Sequence, residues 1–526
     1  MSSSPSSWPR SCSARSASPS SRRTSTGCGS SGDEPPLVIL LALLACPLLG
    51  ALALVAARPG RPATVIHLLV AIGTALAALA LAVAVALAGV VGVPAWSLRA
   101  DPLSAFLVVL VAGVQLVAAL GAPAYLAAEA AAARIAPERA ARFGPLFHLF
   151  VWTMLLAVTT DNVGLMWIAV EGTTLASVFL ITLERTRASL EAAYKYLLIC
   201  SVGIAVAFMG TVLVYYANIQ QLGESAETLD WSLLVTVAPR LPSGVVALAF
   251  VFLLIGYGTK IGLAPMHTWL PDAHSEAPAP VSALMSGVLL AVGLYALLRF
   301  KVVVDLAAGP AFARRLLVAL GLLSMAVAAT SLWAPQNYKR MLAYSSVEHM
   351  GLVCLGVAFG GWAGVAGALL HLLNHALAKS ALFVLAGRVL QRYGSAEVDR
   401  VRGLRQAMPW TGAAFLAATL ALLGVPPFGL FVSEVLILRA GFAGGYAWAA
   451  ALALAALVAV FGGMLRAVNR MLHGACPDEI VAGENGRWPL APVAVNLLVL
   501  LGLGLLFPPA LVAVLGTVAG VVGGGG

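Results

Sequence analysis

Apolar runs of about twenty residues follow one another from residue 37 almost to the end of the chain. They lie near 37–57, 63–91, 102–126, 144–160, 162–183, 191–217, 243–270, 278–304, 314–334, 340–359, 361–387, 409–438, 443–472 and 488–517. A helix needs about 20 such residues to cross a ~30 Å hydrocarbon core. Within lipid a segment must satisfy its own backbone groups, so each run reads as a helix. The expected fold is therefore an all-α polytopic membrane protein with about fourteen transmembrane helices. Only 10% of the 526 residues are charged, against about 25% in soluble domains. No polar block beyond the first residues is long enough for a separate soluble domain.

Residues 1–34 are rich in Ser, Arg, Pro and Gly, without apolar period or signal-peptide core. They are expected to form a disordered tail or an over-extended start. The net charge of +9 resides in short loops between spans, so nucleic acid is not an expected partner. Lys and Arg concentrate in the odd-numbered loops, including Arg139, Arg142, Arg185, Lys339, Arg388 and Arg466. By the positive-inside rule those loops face the cytoplasm. Arg299 and Lys301, counted to the loop after the eighth span, break the rule locally. The six cysteines form no CxxC pair, which argues against zinc, iron–sulfur and disulfide frameworks. With no P-loop and no GxGxxG, no cofactor and no metal site is expected.

Inside the apolar runs, a few ionisable residues stand out, because such groups are costly in a membrane and mark ion paths by default. Lys260 lies in GYGTKIGLAP, just before Gly262 and Pro265. The proline breaks the helix, and freed backbone at membrane depth must face protein or a water-lined cavity. Glu171 sits in the middle of the fifth span. His371, His375 and Lys379 recur every fourth residue and form one stripe down the eleventh. Without a glutamate between the histidines, and with a lysine one turn on, a proton relay fits this stripe better than a metal. A second break, Gly424-Val-Pro-Pro-Phe-Gly429, precedes Glu434. Two broken, charged helices point to inverted repeats with a site at the midplane. Each group also has a structural reading: a static brace for Glu171 and Lys260, polar helix cement for the stripe, an interfacial helix end for Glu434. His67 and His148 are read as structural. His267, Asp272, His274, Glu276 and His349 are read as loop residues, lining a proton uptake route or simply solvated. Gly356, Gly360 and Gly364 have the small-xxx-small spacing of close helix contact.

Four motifs resemble one family. TKIGLAPMHTWLPDAHSEAPAPVSALMSG (259–287), KRMLAYSSVEHMG (339–351), HLLNHALAKSALFVLAG (371–387) and GVPPFGLFVSE (424–434) are similar to the antiporter-like membrane subunits of respiratory complex I, of Mrp-type cation/proton antiporters and of group 4 membrane-bound hydrogenases. The wording is most like the hydrogenase-4 and formate-hydrogenlyase branch, and the resemblance covers roughly residues 100–470. It implies three N-terminal helices (37–126), two inverted five-helix repeats with broken helices (144–304 and 311–472) and a C-terminal helix (488–517). It also implies that Glu171 pairs with Lys260, that Lys379 is the mid-helix lysine of a hydrophilic axis, and that Glu434 stands near the exit. One departure is visible: the eighth-helix lysine or histidine of complex I members falls on Ala291, leaving Ser282, Ser286 or Tyr295 to hold bridging water. The implied function is a proton-translocating, multi-pass subunit of the plasma membrane, without a redox site of its own. It would be an enzyme only as part of an oxidoreductase complex, with other membrane and peripheral subunits and the bilayer as partners. A Mrp-type antiporter subunit and a structural anchor with a vestigial channel are the alternatives.

Overall fold

The computed structural model describes residues 34–225, 227–484, 486 and 488–523. The tail expected at residues 1–34 lies outside the described residues apart from Glu34, as does Arg487. Helices α1 (Glu34–Ala56) and α2 (Arg61–Ala88) form an antiparallel pair on one flank. A short hairpin, β1 (Val91–Val93) with β2 (Leu98–Ala100), leads into α3 (Pro102–Ala131). Asp101 caps α3 by accepting from the Ser104 amide. Next come α4 (Pro137–Thr159), α5 (Val163–Ile181), α6 (Arg187–Leu222), the short α7 (Trp231–Val237) and α8 (Ser243–Ile261). Asn162 caps α5 and Thr186 caps α6, each accepting from free amides of the first turn.

α8 ends where the sequence breaks it. Gly262 takes a left-handed conformation, φ +81°, and a Cβ there would lie 2.3 Å from Leu270 Cδ1; only glycine suits that turn. After a cis Ala264–Pro265 bond the chain restarts as α9 (Trp269–Glu276). The freed backbone groups are met by buried side chains: Trp269 Nε1 donates to the Thr259 carbonyl at 2.8 Å, and Ser324 Oγ accepts from the Ala264 amide at 2.9 Å. α10 (Ala279–Leu284) continues through a π-helical turn, Met285–Leu289, into α11 (Leu290–Ala308). The 279–308 segment is the centre of the molecule, its apolar window wholly buried.

The second half holds α12 (Pro310–Leu332), α13 (Tyr338–Phe359), α14 (Gly361–Tyr393), α15 (Leu404–Ala407), α16 (Pro409–Leu422), α17 (Gly429–Ala443), α18 (Ala447–Leu472), α19 (Leu490–Leu505) and α20 (Pro509–Val522). The break between α16 and α17 repeats the earlier design, with Gly424 at φ +64° and a cis Pro426–Pro427 bond. Gly356 and Gly364 bring α13 and α14 together, each within 3 Å of the other's carbonyl if given a Cβ. Gly360, read as part of that contact, is instead the turn between them, at φ +70°.

The molecule spans a membrane many times, but not by fourteen continuous helices. Among the described residues twelve spans are long and apolar enough. The expected 409–438 span divides at Pro426-Pro427 into α16 and α17. The expected 488–517 helix is bent by 87° between α19 and α20, where Pro508 and Pro509 each lack an amide donor. Arg299 and Lys301 are not loop residues. Both are buried in α11, where Arg299 grips Asp101 through two bonds of 2.6 and 2.7 Å and Lys301 pairs with Asp305 at 2.5 Å. Their apparent breach of the positive-inside pattern disappears, because paired buried charges do not report loop orientation.

Candidate proton path

Small residues bring the first cluster together. A Cβ on Gly256 would lie 2.5 Å from the Ala207 amide, and one on Gly203 2.7 Å from Thr259. α6 and α8 therefore approach closely, as small residues allow in membranes. That approach delivers Lys260, fully buried at the end of α8, to side chains of α5 and α6. Its Nζ donates to Thr174 Oγ1 at 2.8 Å and to Tyr196 OH at 3.1 Å. Tyr196 in turn donates to Ser177 Oγ at 2.8 Å, which passes its own proton donation to the Thr173 carbonyl at 2.6 Å.

Glu171 is half-buried and does not touch Lys260. Its carboxylate accepts from Ser201 Oγ at 2.6 Å and from Thr174 Oγ1 at 3.2 Å. Thr174 thus stands between the two charges, accepting from the lysine and donating to the glutamate. The direct pair expected from the resemblance is a bridged one.

The middle of the path has no titratable group on α11, where Ala291 is buried. His274 occupies the gap instead. Read from the sequence as a loop residue, it is fully buried on α9. The Trp269 indole packs against Tyr196 (centroids 4.9 Å) and against His274 (5.8 Å), and His274 meets Phe383 of α14 (6.1 Å). Neither ring nitrogen of His274 has a hydrogen-bond partner in the protein, and the ring lies within electrostatic reach of Lys379 and Lys339. Of the three residues expected to bridge by water, Ser282 bonds the His274 carbonyl at 2.8 Å, Ser286 bonds Ser346 at 2.7 Å, and Tyr295 turns away to Ser104 and the Val158 carbonyl.

The last cluster joins α13, α14 and α17. Lys379 Nζ donates to Ser345 Oγ at 2.5 Å and to the Leu342 carbonyl. One turn away, His375 is buried with both nitrogens unpartnered, as are the amide atoms of Asn374. His371 bonds His349 at 2.9 Å and Ser433 at 3.0 Å. Ser433 donates to the Leu430 carbonyl at 2.8 Å, so it accepts from His371 Nδ1–H. That leaves His371 Nε2 as the acceptor for His349 Nδ1–H, an orientation assigned from the bonding pattern. His349, expected in a loop, is buried in α13, with Glu348 Oε2 3.3 Å from its Nδ1. Glu434 follows Ser433, its carboxylate folded under the left-handed Gly424, where a Cβ would lie 2.1 Å from Oε2.

The structure therefore assembles Glu171 with Lys260 through a threonine, and the 371–375–379 stripe with Ser433 beside Glu434. Thr174, Tyr196 and Ser433 are not among the residues that the sequence singles out, and His274 and His349, read there as loop residues of an uptake route or simply solvated, are buried in helices. Among the described residues, no group of three or more His, Cys, Asp or Glu is placed to hold a metal ion. His67 and His148 bond each other at 2.9 Å among Phe143 and Phe147, away from this path. Two cavities of about 370 and 660 Å³ also lie elsewhere, on the flank of α1 and α4. A cavity of about 260 Å³ opens beside Asn337, Arg340 and Tyr344 at the start of α13, and the Tyr344 ring lies 6.2 Å from His267.

A many-span helical fold with two proline-broken helices and buried lysines along one polar line defines a class of membrane ion-translocating subunit. Residues 160–461 match the family described as NADH:quinone oxidoreductase/Mrp antiporter, transmembrane, and the chain belongs to that family. It is 38% identical over 374 residues to a hydrogenase-4 component F homolog from Methylacidiphilum infernorum, covering 70% of this chain and 78% of that one. Hydrogenase-4 component B of Escherichia coli is 34% identical over 389 residues, which is 70% of this chain but only 55% of the relative. Among solved structures, a chain of respiratory complex I from Thermus thermophilus superposes with TM-score 0.79 at 25% identity, covering 93% of this chain and all of that one.

Proposed function

We propose that this chain is a proton-translocating, antiporter-like subunit of a membrane-bound oxidoreductase complex of the hydrogenase-4 or NADH-quinone oxidoreductase type. Partner subunits carry the redox centres, and this chain moves the ion. The observation that carries the reading is a line of polar side chains in which Lys260, His274, Lys379, His375 and His371 are buried and the half-buried Glu171 and Glu434 stand at the ends. Such groups are expensive in a membrane interior unless they serve a path. Buried polar atoms without protein partners, as at His274, Asn374 and His375, take ordered water where the site is polar. Water at those atoms completes a relay across the interval that Ala291 leaves.

The two repeats, 144–304 and 311–472, belong to the same proposal. Each has its broken helix in fourth place, with a left-handed glycine and a cis proline at the break. In operation, weakening the Glu171–Thr174–Lys260 bridge releases the lysine proton toward His274. Lys379 and the histidine stripe carry it on to Glu434, and the lysines reload from the cavity beside Arg340. Hydroxyl and imidazole groups suit this traffic because they donate and accept at once.

The test is co-purification in mild detergent followed by reconstitution. Redox subunits should accompany the chain, and electron transfer should acidify or alkalinise the vesicle lumen. Glu434→Gln should depress that proton movement and leave electron transfer running. Recovery with small membrane subunits alone, driven by a cation gradient, would instead establish a Mrp-type antiporter. Proton movement at the parental ratio in Glu434→Gln would remove that residue from the path.

A further inference from the structure

Two adjoining cavities open away from the polar line, one of about 370 Å³ among α1, α2, α3 and α4 and one of about 660 Å³ among α1, α4 and the end of α5. They share the walls Leu54, Ala57, Pro59 and Ala141. One is an apolar cleft between helices. The other is lined by Arg139, Arg142 and Arg185. Arg142 and Arg185 are exposed and have no acidic partner among the described residues, while Arg139 donates to the Leu183 carbonyl at 2.6 Å. The end of α1, the start of α4 and the end of α5 meet here, so the arginines sit at the membrane surface and the cleft runs inward from them. Their odd-loop position puts this surface on the cytoplasmic side. Only about a third of α1 and α2 is buried in the protein, and the rest is an exposed apolar face. Two polar side chains line the cleft: Thr64, whose hydroxyl donates to the Gly60 carbonyl at 3.2 Å, and His67, which is 5% exposed, bonds His148 through Nδ1 and has the Ala119 backbone of α3 within reach of its ring.

We infer that the paired cavities bind one anionic glycerophospholipid. Its phosphate lies among Arg139, Arg142 and Arg185, and one acyl chain runs past Thr64 and His67 to fill the cleft. The sequence of chemistry from surface inward is cations, then the polar edges of Thr64 and His67, then hydrocarbon, which is the order of a phospholipid. His67 is six residues into the membrane from Arg61, about 9 Å along the helix, which is the depth of the glycerol backbone region and not of the headgroup. Basic pockets between helix ends on the cytoplasmic side are a general headgroup site, and each arginine near the surface contributes about fivefold in affinity for an anionic lipid.

The full-length chain, with whatever subunits accompany it, is purified in mild detergent and challenged with phosphatidylglycerol or phosphatidylcholine, and retained lipid is counted by native mass spectrometry. Phosphatidylglycerol should be retained preferentially. Arg142→Gln with Arg185→Gln should weaken its retention roughly 25-fold, two such steps. Ala63→Trp should block the cleft without changing charge, and a preserved melting temperature separates this from misfolding. Equal retention of the two lipids, or an unchanged preference in the double variant, would overturn the assignment. So would a photo-crosslinker at Ala141 that captured a protein segment and no lipid, since a partner subunit would then occupy the flank.

Discussion

Replacing Thr174 by valine keeps the shape of the side chain and removes the one hydroxyl that Lys260 and Glu171 share. The two bonds, 2.8 and 3.2 Å, hold the charges at most about 6 Å apart, where an effective dielectric near 20 gives a coupling of ~3 kcal/mol. The hydroxyl itself contributes hydrogen bonds to charged groups, worth ~1.5–3 kcal/mol each. Losing them while Lys260 stays buried should cost the coupled state at least ~1.5 kcal/mol, about tenfold. Lys260 then keeps Tyr196 as its sole hydrogen-bond partner of the two seen here. In vesicles containing the whole complex, proton transfer per electron should fall about tenfold or more in Thr174→Val. Thr174→Ser, which restores the hydroxyl, should recover most of it. The serine control separates a relay from a packing effect, because it removes a methyl group and keeps the donor. If valine pumps at the parental ratio, the bridge is not part of the mechanism, and Glu171 acts on Lys260 through space or not at all.

Three further predictions rest on other places. His274→Phe fills the same volume without a titratable nitrogen and should lower proton transfer tenfold or more while electron transfer persists; full transfer would mean that another route spans the Ala291 interval. Gly424→Ala should reproduce the Glu434→Gln phenotype at a further stability cost of ~1–2 kcal/mol for a left-handed alanine, since its Cβ collides with the Glu434 carboxylate; normal pumping would show that the carboxylate position is immaterial. Glu484 clamps the 473–489 loop to α14 and α16, accepting from Arg388 at 2.9 Å and from the Thr411 amide and hydroxyl at 2.9 and 2.7 Å. Burial works to raise its pKa, but the Thr411 bonds and the Arg388 charge hold it below the ordinary carboxylate range. Its contribution is therefore complete above the unfolded value near pH 4.3 and is lost as pH falls through the lower folded value. Glu484→Gln should cost ~3 kcal/mol at neutral pH, with the melting difference from the parent shrinking below pH 4; a constant difference across that range would rule out the charged clamp.

What could be read from residue order was what depends on local spacing. The stripe of His371, His375 and Lys379 is set by helical period alone, and Gly262 with Pro265 announces a break whatever surrounds it. Thr174 could not be read this way. Threonines are unremarked in apolar helices, and this one acquires its role from a lysine 86 positions away. His274 was misplaced because LPDAHSEAPAP looks like a polar loop, whereas tertiary contact folds it under Trp269 and Phe383. Arg299 looks like a loop charge until Asp101, 198 positions earlier in the chain, pairs with it. The break at 426–427 was legible in its prolines, whereas the 87° bend of the last apolar run at 508–509 was not, because apolar length says nothing of direction.

The most direct test of the central claim is the proton-to-electron ratio in proteoliposomes containing the purified complex, measured for the parent and for Lys260→Met and Lys379→Met. Each lysine is fully buried on its segment of the path. The account predicts that either substitution sharply lowers the ratio while redox turnover of the partner subunits continues and the complex stays assembled. A parental ratio in both variants, with assembly intact, would contradict proton translocation through this chain.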